Sequence, residues 1–395
     1  MKILHIDDFF HPEAGYQINL LTKYMAKLGH EVVIYTSEME NVSEKLVAFF
    51  GKSDISIKDS IYSSNYGVRI VRFPLKKYIA NRAYLSKDLF KCIDNEKPDI
   101  IFIHGNDTLT GMRMLLKYKH YKIPYIMDSH MLEMASTSRF NRLFRRIYKI
   151  VFTPIILKNN IYVIRTQNDA YVEKCLGIPL NRAPWISVGS DILLFKPDNI
   201  LRSMCRRSLG IPNDAFVIVY AGKLDKAKGG LFLAESILEP FSSCKDIVFL
   251  IIGNTVGEYG ETVEKTFSES KNRIIRLPSQ KYIDLAKFYS ASDLAVFPAQ
   301  CSLSFYDAQA CGLPVLSENN NINIDRCSHN NGANFVAGDI KSFREGINKF
   351  VSMSYEELLI IKNNARTYVE TSFNYENIVD EYMEYINLSI NEQLR

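Results

Sequence analysis

Two short segments hold the residues best suited to chemistry. The first, Gly222-Lys223-Leu224-Asp225-Lys226-Ala227-Lys228-Gly229, follows the apolar run Phe216 to Tyr220. It reads as a buried strand ending in a glycine turn that presents Lys223 and Lys228. Ammonium groups at a strand's end can neutralise a diphosphate and the charge that grows as it leaves, an effect commonly worth a few kcal/mol in a dry site. The second, Tyr306 to Val315, reads as a short helix carrying Asp307 near its start, stopped by Gly312-Leu313-Pro314 and followed by a strand. A carboxylate there can accept hydrogen bonds from ribose hydroxyls, and the helix dipole favours its ionised form. Together the segments suggest a sugar-nucleotide site.

Each residue also has a plainer reading. The lysines could belong to a solvated basic turn, and Asp307 could simply complement the helix dipole, worth up to about 1 kcal/mol. The coincidence of strand, glycines and lysine spacing favours the diphosphate reading. Gly15, between the first strand and first helix, fits close backbone approach to a phosphate at a helix start. Equally, it fits a turn that needs glycine's backbone freedom. His130 ends Pro124 to His130, just past a strand, where it could hydrogen-bond a sugar hydroxyl or a transferring oxygen in either protonation state. On the residues alone, a packing or capping histidine is the better reading, and His104 holds a similar but weaker position.

The elements that must place these residues alternate along the chain. Strands are expected at Lys2 to Ile6, Glu31 to Thr36, Val68 to Phe73, Asp99 to His104, Tyr125 to Asp128 and Ile161 to Arg165. A second series runs Val217 to Ala221, Ile247 to Ile252, Ile274 to Leu277, Leu294 to Phe297 and Pro314 to Ser317. Between the first two strands, Ile18, Leu21, Met25 and Leu28 recur at helical spacing. Strands separated by helices imply α/β units with parallel, doubly wound sheets. Two Rossmann-like halves facing a cleft are expected, with ligand at the carboxyl ends of the strands. The expected boundaries are 1–195, 196–372 and a terminal helix over 373–395, with Phe195 to Asp198 as linker.

Composition narrows the class. The 395 residues are 47% apolar and 23% charged, with a net charge of +4. That total is too small to argue for nucleic acid, and no recognised nucleic-acid module accompanies it. The seven cysteines are scattered without a Cys-x-x-Cys pair, which favours reduced thiols over disulfides or zinc. The opening reads straight into a strand, so no signal peptide is expected, and no charge-free apolar run reaches the roughly 20 residues that span a bilayer. The stretch Arg139 to Lys149 holds five basic residues and no acid. Phe140, Leu143, Phe144, Ile147 and Tyr148 give it an apolar stripe, and an apolar run to Leu157 follows. Residues 139–157 therefore read as an amphipathic helix for an anionic membrane surface, with a core-packed helix as the alternative.

Taken together, these segments resemble the family 4 glycosyltransferases of GT-B fold over nearly the whole chain. Pro12 to Gly15 and Leu28 to Val32 resemble the family's opening glycine loop and its second-strand entry. His130 falls at its active-site histidine, Gly189-Ser190-Asp191 with Phe195 and Pro197 at its linker, and Gly222 to Gly229 at its phosphate-binding turn. Asp307 to Val315 resembles the second half of its Glu-x7-Glu motif, and Asn331-Gly332 and the helix after Phe373 match its closing features. The resemblance implies retaining transfer of a hexose-type sugar from a UDP- or GDP-linked donor, with no metal and no other cofactor. It implies a glycan or polyprenyl-linked acceptor and cell-surface polysaccharide synthesis, carried out in the cytoplasm on the inner face of the membrane. Lys223 and Lys228 would stabilise the leaving diphosphate, Gly15 would supply backbone donors, Asp307 would bind ribose, and His130 would contact donor or acceptor oxygens. One departure stands out. The first acid of the pair is replaced by Ala299, so Gln300, Ser302, Leu303 and Ser304 would orient the donor sugar. Lys223 also stands where the family has arginine, a point charge in place of a fork. A sugar-nucleotide epimerase or a non-catalytic protein of the same fold are the alternatives.

Overall fold

The apolar runs become the strands of two parallel six-stranded sheets in the computed structural model, which describes residues 1–39, 54–79, 82–133 and 140–393. The first sheet contains β1 (Lys2–Ile6), β2 (Glu31–Ser37), β3 (Arg69–Phe73), β6 (Ile100–Ile103), β7 (Tyr125–Ser129) and β8 (Tyr162–Arg165), in the order β3-β2-β1-β6-β7-β8. A small antiparallel hairpin, β4 (Leu75–Ile79) with β5 (Arg82–Leu85), lies outside it. The second sheet contains β9 (Phe216–Ala221), β10 (Ile247–Ile252), β11 (Arg273–Leu277), β12 (Leu294–Phe297), β13 (Val315–Glu318) and β14 (Gly332–Phe335). Its order, β11-β10-β9-β12-β13-β14, repeats that of the first.

The central strands are largely apolar because helices cover both faces of a parallel sheet. Every residue of β6, β7, β9, β10 and β12 is buried. In such a sheet the order reverses once, here between β1 and β6 and between β9 and β12. The carboxyl ends of strands at that reversal form the crevice where doubly wound folds take ligands.

The chain forms two compact units, residues 1–188 with 375–395, and residues 189–374. The second therefore starts at Gly189 instead of 196, because the expected linker is built into it. Ser190 Oγ donates to Asp307 at 2.7 Å, and Phe195 is fully buried against Tyr282, with ring centroids 4.9 Å apart. The terminal helix, Tyr375–Gln393, belongs to the first unit. Tyr375 stacks on Tyr24 of α1 (Gln17–Lys27), and the Gln393 amide bonds both the N–H and C=O of Tyr125, each at 2.8 Å. The basic helix at Asn199–Ser208 is structural: Arg202 and Arg206 hold Asp293 at 2.9 and 2.7 Å, joined by Lys362 at 3.0 Å.

Candidate functional site

In the second unit, the candidate residues sit on both sides of the reversal point. Lys223 and Lys228 follow β9, and residues 298–303 follow the adjacent β12. The turn is preset by its own side chains. Asp225 Oδ1 accepts from the Lys228 N–H at 2.9 Å, and Gly229 adopts φ +71°, a conformation costly for other residues. Lys228 Nζ then donates to the Cys301 carbonyl at 2.6 Å, bridging the two loops. Burial holds Lys228 below the usual lysine range, and the charges of Lys223 and Arg326 act in the same direction. Lys223 is exposed. Two ammonium groups near a guanidinium make a basic locus suited to a polyanion.

The loop after β12 is held at Gln300, Cys301 and Ser302. Gln300 adopts φ +57°; its N–H donates to Glu318 Oε1 at 2.6 Å, and its carbonyl accepts from Asn323 Nδ2 at 3.1 Å. The Ser302 carbonyl accepts from Arg326 Nη1 at 3.0 Å, while the Arg326 guanidinium lies 4.7 Å from the Tyr306 ring centroid. Leu303 precedes the short helix Ser304–Ala310 and is 40% exposed, whereas Ser304 begins that helix. Ala299 bears on the glycine at 229: a Cβ built on Gly229 would lie 3.1 Å from the Ala299 Cβ. The methyl group at 299 packs directly over the lysine turn.

Asp307 is buried within the same short helix. Its Oδ1 accepts from both Ser190 Oγ, at 2.7 Å, and Tyr282 OH, at 3.2 Å. Burial pushes its carboxyl up to about 7, against the pull of those two donors. Ser190, Tyr282, Glu318, Asn323 and Arg326 hold the candidate residues in place, and of these only Ser190 carries a signal in the sequence, in the Gly-Ser-Asp segment.

In the first unit, the equivalent crevice gathers acids and histidines at the ends of β1, β6 and β7. His104 Nδ1 lies 2.8 Å from Asp128 Oδ2, His130 Nε2 lies 3.4 Å from the same oxygen, and the Gly105 N–H donates to Oδ1 at 2.7 Å. Behind them, His5 Nδ1 meets His104 Nε2 at 3.0 Å. Burial alone would raise Asp128, but His130 and His104 pull it well below the usual carboxylate range. Burial likewise opposes the charged form of His130, yet Asp128, Asp7 and Asp107 raise it above the ordinary histidine value. Its side chain is 44% exposed while Asp128 is fully buried. The ligand atoms of His104, Asp128 and His130 lie within 4.8 Å of one another, the composition of a metal set. The 2.8 Å contact between two of them is instead that of a hydrogen bond. Gly15 takes φ +65° in a loop tied by Asn19, whose amide donates to the His11 carbonyl at 3.0 Å.

The amphipathic stretch becomes α2 (Phe140–Lys158); Arg139 and the Phe140 side chain lie outside the described residues. The expected single stripe divides into two. Tyr148, Phe152 and Ile156 are buried, whereas Leu143, Ile147, Ile150, Val151 and Leu157 are exposed beside Arg142, Arg146 and Lys149. Arg145 leaves the basic face to lie over the Tyr171 ring, 5.4 Å from its centroid. No helix among the described residues is long and apolar enough to cross a membrane.

Comparison with known proteins fits this geometry. The profile described as "Glycosyl transferases group 1" matches residues 203–368, and that of "Glycosyltransferase Family 4" matches residues 14–157. An Escherichia coli protein named UDP-Gal:alpha-D-GlcNAc-diphosphoundecaprenol alpha-1,3-galactosyltransferase is 25% identical over 320 residues, covering 77% of this chain and 79% of its own. Among solved structures, a glycosyltransferase from Rickettsia africae ESF-5 superposes with a TM-score of 0.76 at 15% identity, covering 98% of both chains. Anabaena HepE, solved with UDP and glucose, gives 0.73 at 17% identity, covering 98% of this chain and 99% of its own.

Proposed function

The chain belongs to the family 4 glycosyltransferases, built from two doubly wound units of the GT-B type, and from that premise we propose a retaining transfer of a hexose from a UDP- or GDP-linked donor. The observation that carries the reading is the Lys228–Cys301 bond, which fixes a preorganised cation at the β9/β12 reversal point. A diphosphate there would exchange the Cys301 carbonyl for a charged acceptor, and charge-assisted bonds are roughly twice as strong as neutral ones. Lys223 would share the charge, Gly15 would offer backbone N–H groups, and Asp307 would accept ribose hydroxyls through Oδ2. The held loop of Gln300, Ser302, Leu303 and Ser304 would orient the sugar in place of an acid at Ala299. His130 would contact donor or acceptor oxygens. This mechanism assigns no role to a metal ion.

The acceptor proposed is a sugar on a polyprenyl diphosphate, or a glycan grown from one, in surface polysaccharide synthesis. The Escherichia coli relative, whose name specifies a diphosphoundecaprenol acceptor, supports that class. So does the exposed apolar and basic face of α2, which suits an anionic leaflet on the cytoplasmic side. The test is to incubate purified protein with a panel of labelled UDP- and GDP-sugars and short-chain polyprenyl-diphosphate sugars. A labelled lipid product with unchanged anomeric configuration is expected. Release of free sugar or of an altered nucleotide sugar alone, across the panel, would refute the assignment.

A further inference from the structure

The buried polar groups behind His130 form a chain whose donors all point one way. Asp128 is the fixed point: His104, Gly105 and His130 converge on its two oxygens, the Gly105 N–H donates to it, and the two histidines hold its carboxyl below the usual carboxylate range, so it accepts as a carboxylate. His104 must then donate from Nδ1. If that ring is neutral, its Nε2 is an acceptor, so His5 donates from Nδ1 across the 3.0 Å contact. Both buried rings are locked by stacking. His104 lies 4.4 Å from the Phe102 ring, and His5 lies 5.2 Å from it.

The exposed end follows the same logic. His130 Nε2 faces Asp128 Oδ2 at 3.4 Å and its Nδ1 faces Thr166 Oγ1 at 3.4 Å, while that hydroxyl lies 3.1 Å from the Ser129 carbonyl. A hydroxyl that donates to the carbonyl can only accept from His130. Donors are then required at both ring nitrogens, which is the imidazolium.

We propose that His5, His104 and Asp128 are positioning residues that hold His130 as an imidazolium, so that it meets its ligand as a cationic hydrogen-bond donor and not as a general base. The charged groups facing it agree: Asp128 from β7, Asp7 after β1 and Asp107 after β6 are all acids, with His104 behind Asp128. The Thr166 contact is long enough to be exchanged for a ligand oxygen, which leaves Nδ1–H as the working group. This inference deepens the role given to His130 above and rests on that reading for its ligand, but not for its protonation.

The chain predicts tautomers that need no substrate to observe. In 15N-histidine-labelled full-length protein, His104 and His5 should both carry a proton on Nδ1 with Nε2 bare, and His130 should be doubly protonated at pH 7. Its titration midpoint should lie above about 6.5, the ordinary histidine value. Asp128→Asn should bring that midpoint below it. Should that variant fail to fold, the wild-type tautomers decide the matter alone. An Nε2–H tautomer at His104, or a His130 midpoint unmoved by Asp128→Asn, would overturn the proposal. So would zinc replacing the His104 Nδ1–H signal at micromolar concentration. In the transfer assay, kcat/KM should fall as pH rises through the His130 midpoint. A fall on the acid side at that midpoint would mean the neutral ring works. Absence of transfer with the tautomers intact would remove the functional reading and leave the chain standing.

Discussion

Lys228 and Cys301 are joined by a 2.6 Å bond from ammonium to carbonyl, which ties the turn after β9 to the loop after β12. A cation held in this way needs little reorganisation when a diphosphate arrives. Replacing Lys228 with alanine should therefore lower kcat/KM for the donor by about 10²–10³-fold, the cost of losing one preorganised donor. Circular dichroism and the melting temperature should stay near wild type. A variant that keeps more than about a tenth of the activity would show that the ammonium serves only the loop.

Gly229 is the second constraint on the turn, with φ +71° and the Ala299 methyl 3.1 Å from where its own Cβ would stand. Gly229→Ala should cost about 1–2 kcal/mol from the left-handed backbone alone. Thermal unfolding checks the stability, and the same variant should weaken donor binding because the loop must move off Lys228. Unchanged melting and unchanged binding together would contradict the packing described.

Asp307 makes a pH-dependent contribution whose sign is fixed. Its folded value of about 7 lies above the unfolded one, so the stabilising protonated form is fully present below about 4 and is lost as pH rises through 7. Denaturant unfolding between pH 5 and 8 should show wild type losing up to about 2.7 kcal/mol that Asp307→Asn does not lose. Nucleotide affinity should tighten over the same range in wild type, as the carboxylate becomes the better acceptor, and stay flat in the variant. A parallel pH profile for both proteins would exclude Asp307 from the ribose role.

The exposed face of α2 makes a separate claim. Arg142→Glu with Arg146→Glu should reduce binding to anionic vesicles by at least about tenfold, since each basic residue contributes up to about 1 kcal/mol at such a surface. Leu143→Ser with Ile150→Ser should weaken binding even at high salt, where charge is screened. Sedimentation of both double variants with vesicles as efficiently as wild type would place the contact elsewhere.

Much of the fold was legible because fully buried parallel strands read as uninterrupted apolar runs, as at Phe216 to Ala221 and Ile247 to Ile252. The hairpin strands Leu75–Ile79 and Arg82–Leu85 and the strand Gly332–Phe335 were not, because Lys76, Lys77 and Asn334 interrupt their apolar pattern. The lysine turn could be placed from its glycines and spacing. The loop that meets it could not, since its shape depends on Glu318, Asn323 and Arg326, brought in by later elements. Ala299 stands where the family has an acid, and its methyl group leaves little room for a side chain at Gly229. The histidine chain left only a faint trace, polar residues at or beyond the ends of three apolar strands, His5, His104 and Asp128. Parallel register, which no local pattern reveals, aligns them.

The claim at the centre is that the Lys223–Lys228 turn binds a diphosphate. Calorimetric titration of UDP and GDP, with their nucleosides as controls, into wild type and Lys228→Ala tests it most directly. One diphosphate should bind wild type at least about tenfold more tightly than its nucleoside, and the variant should lose that margin, about 1.5–3 kcal/mol for a charge-assisted contact. Equal affinity of both proteins for the nucleoside diphosphate would contradict it.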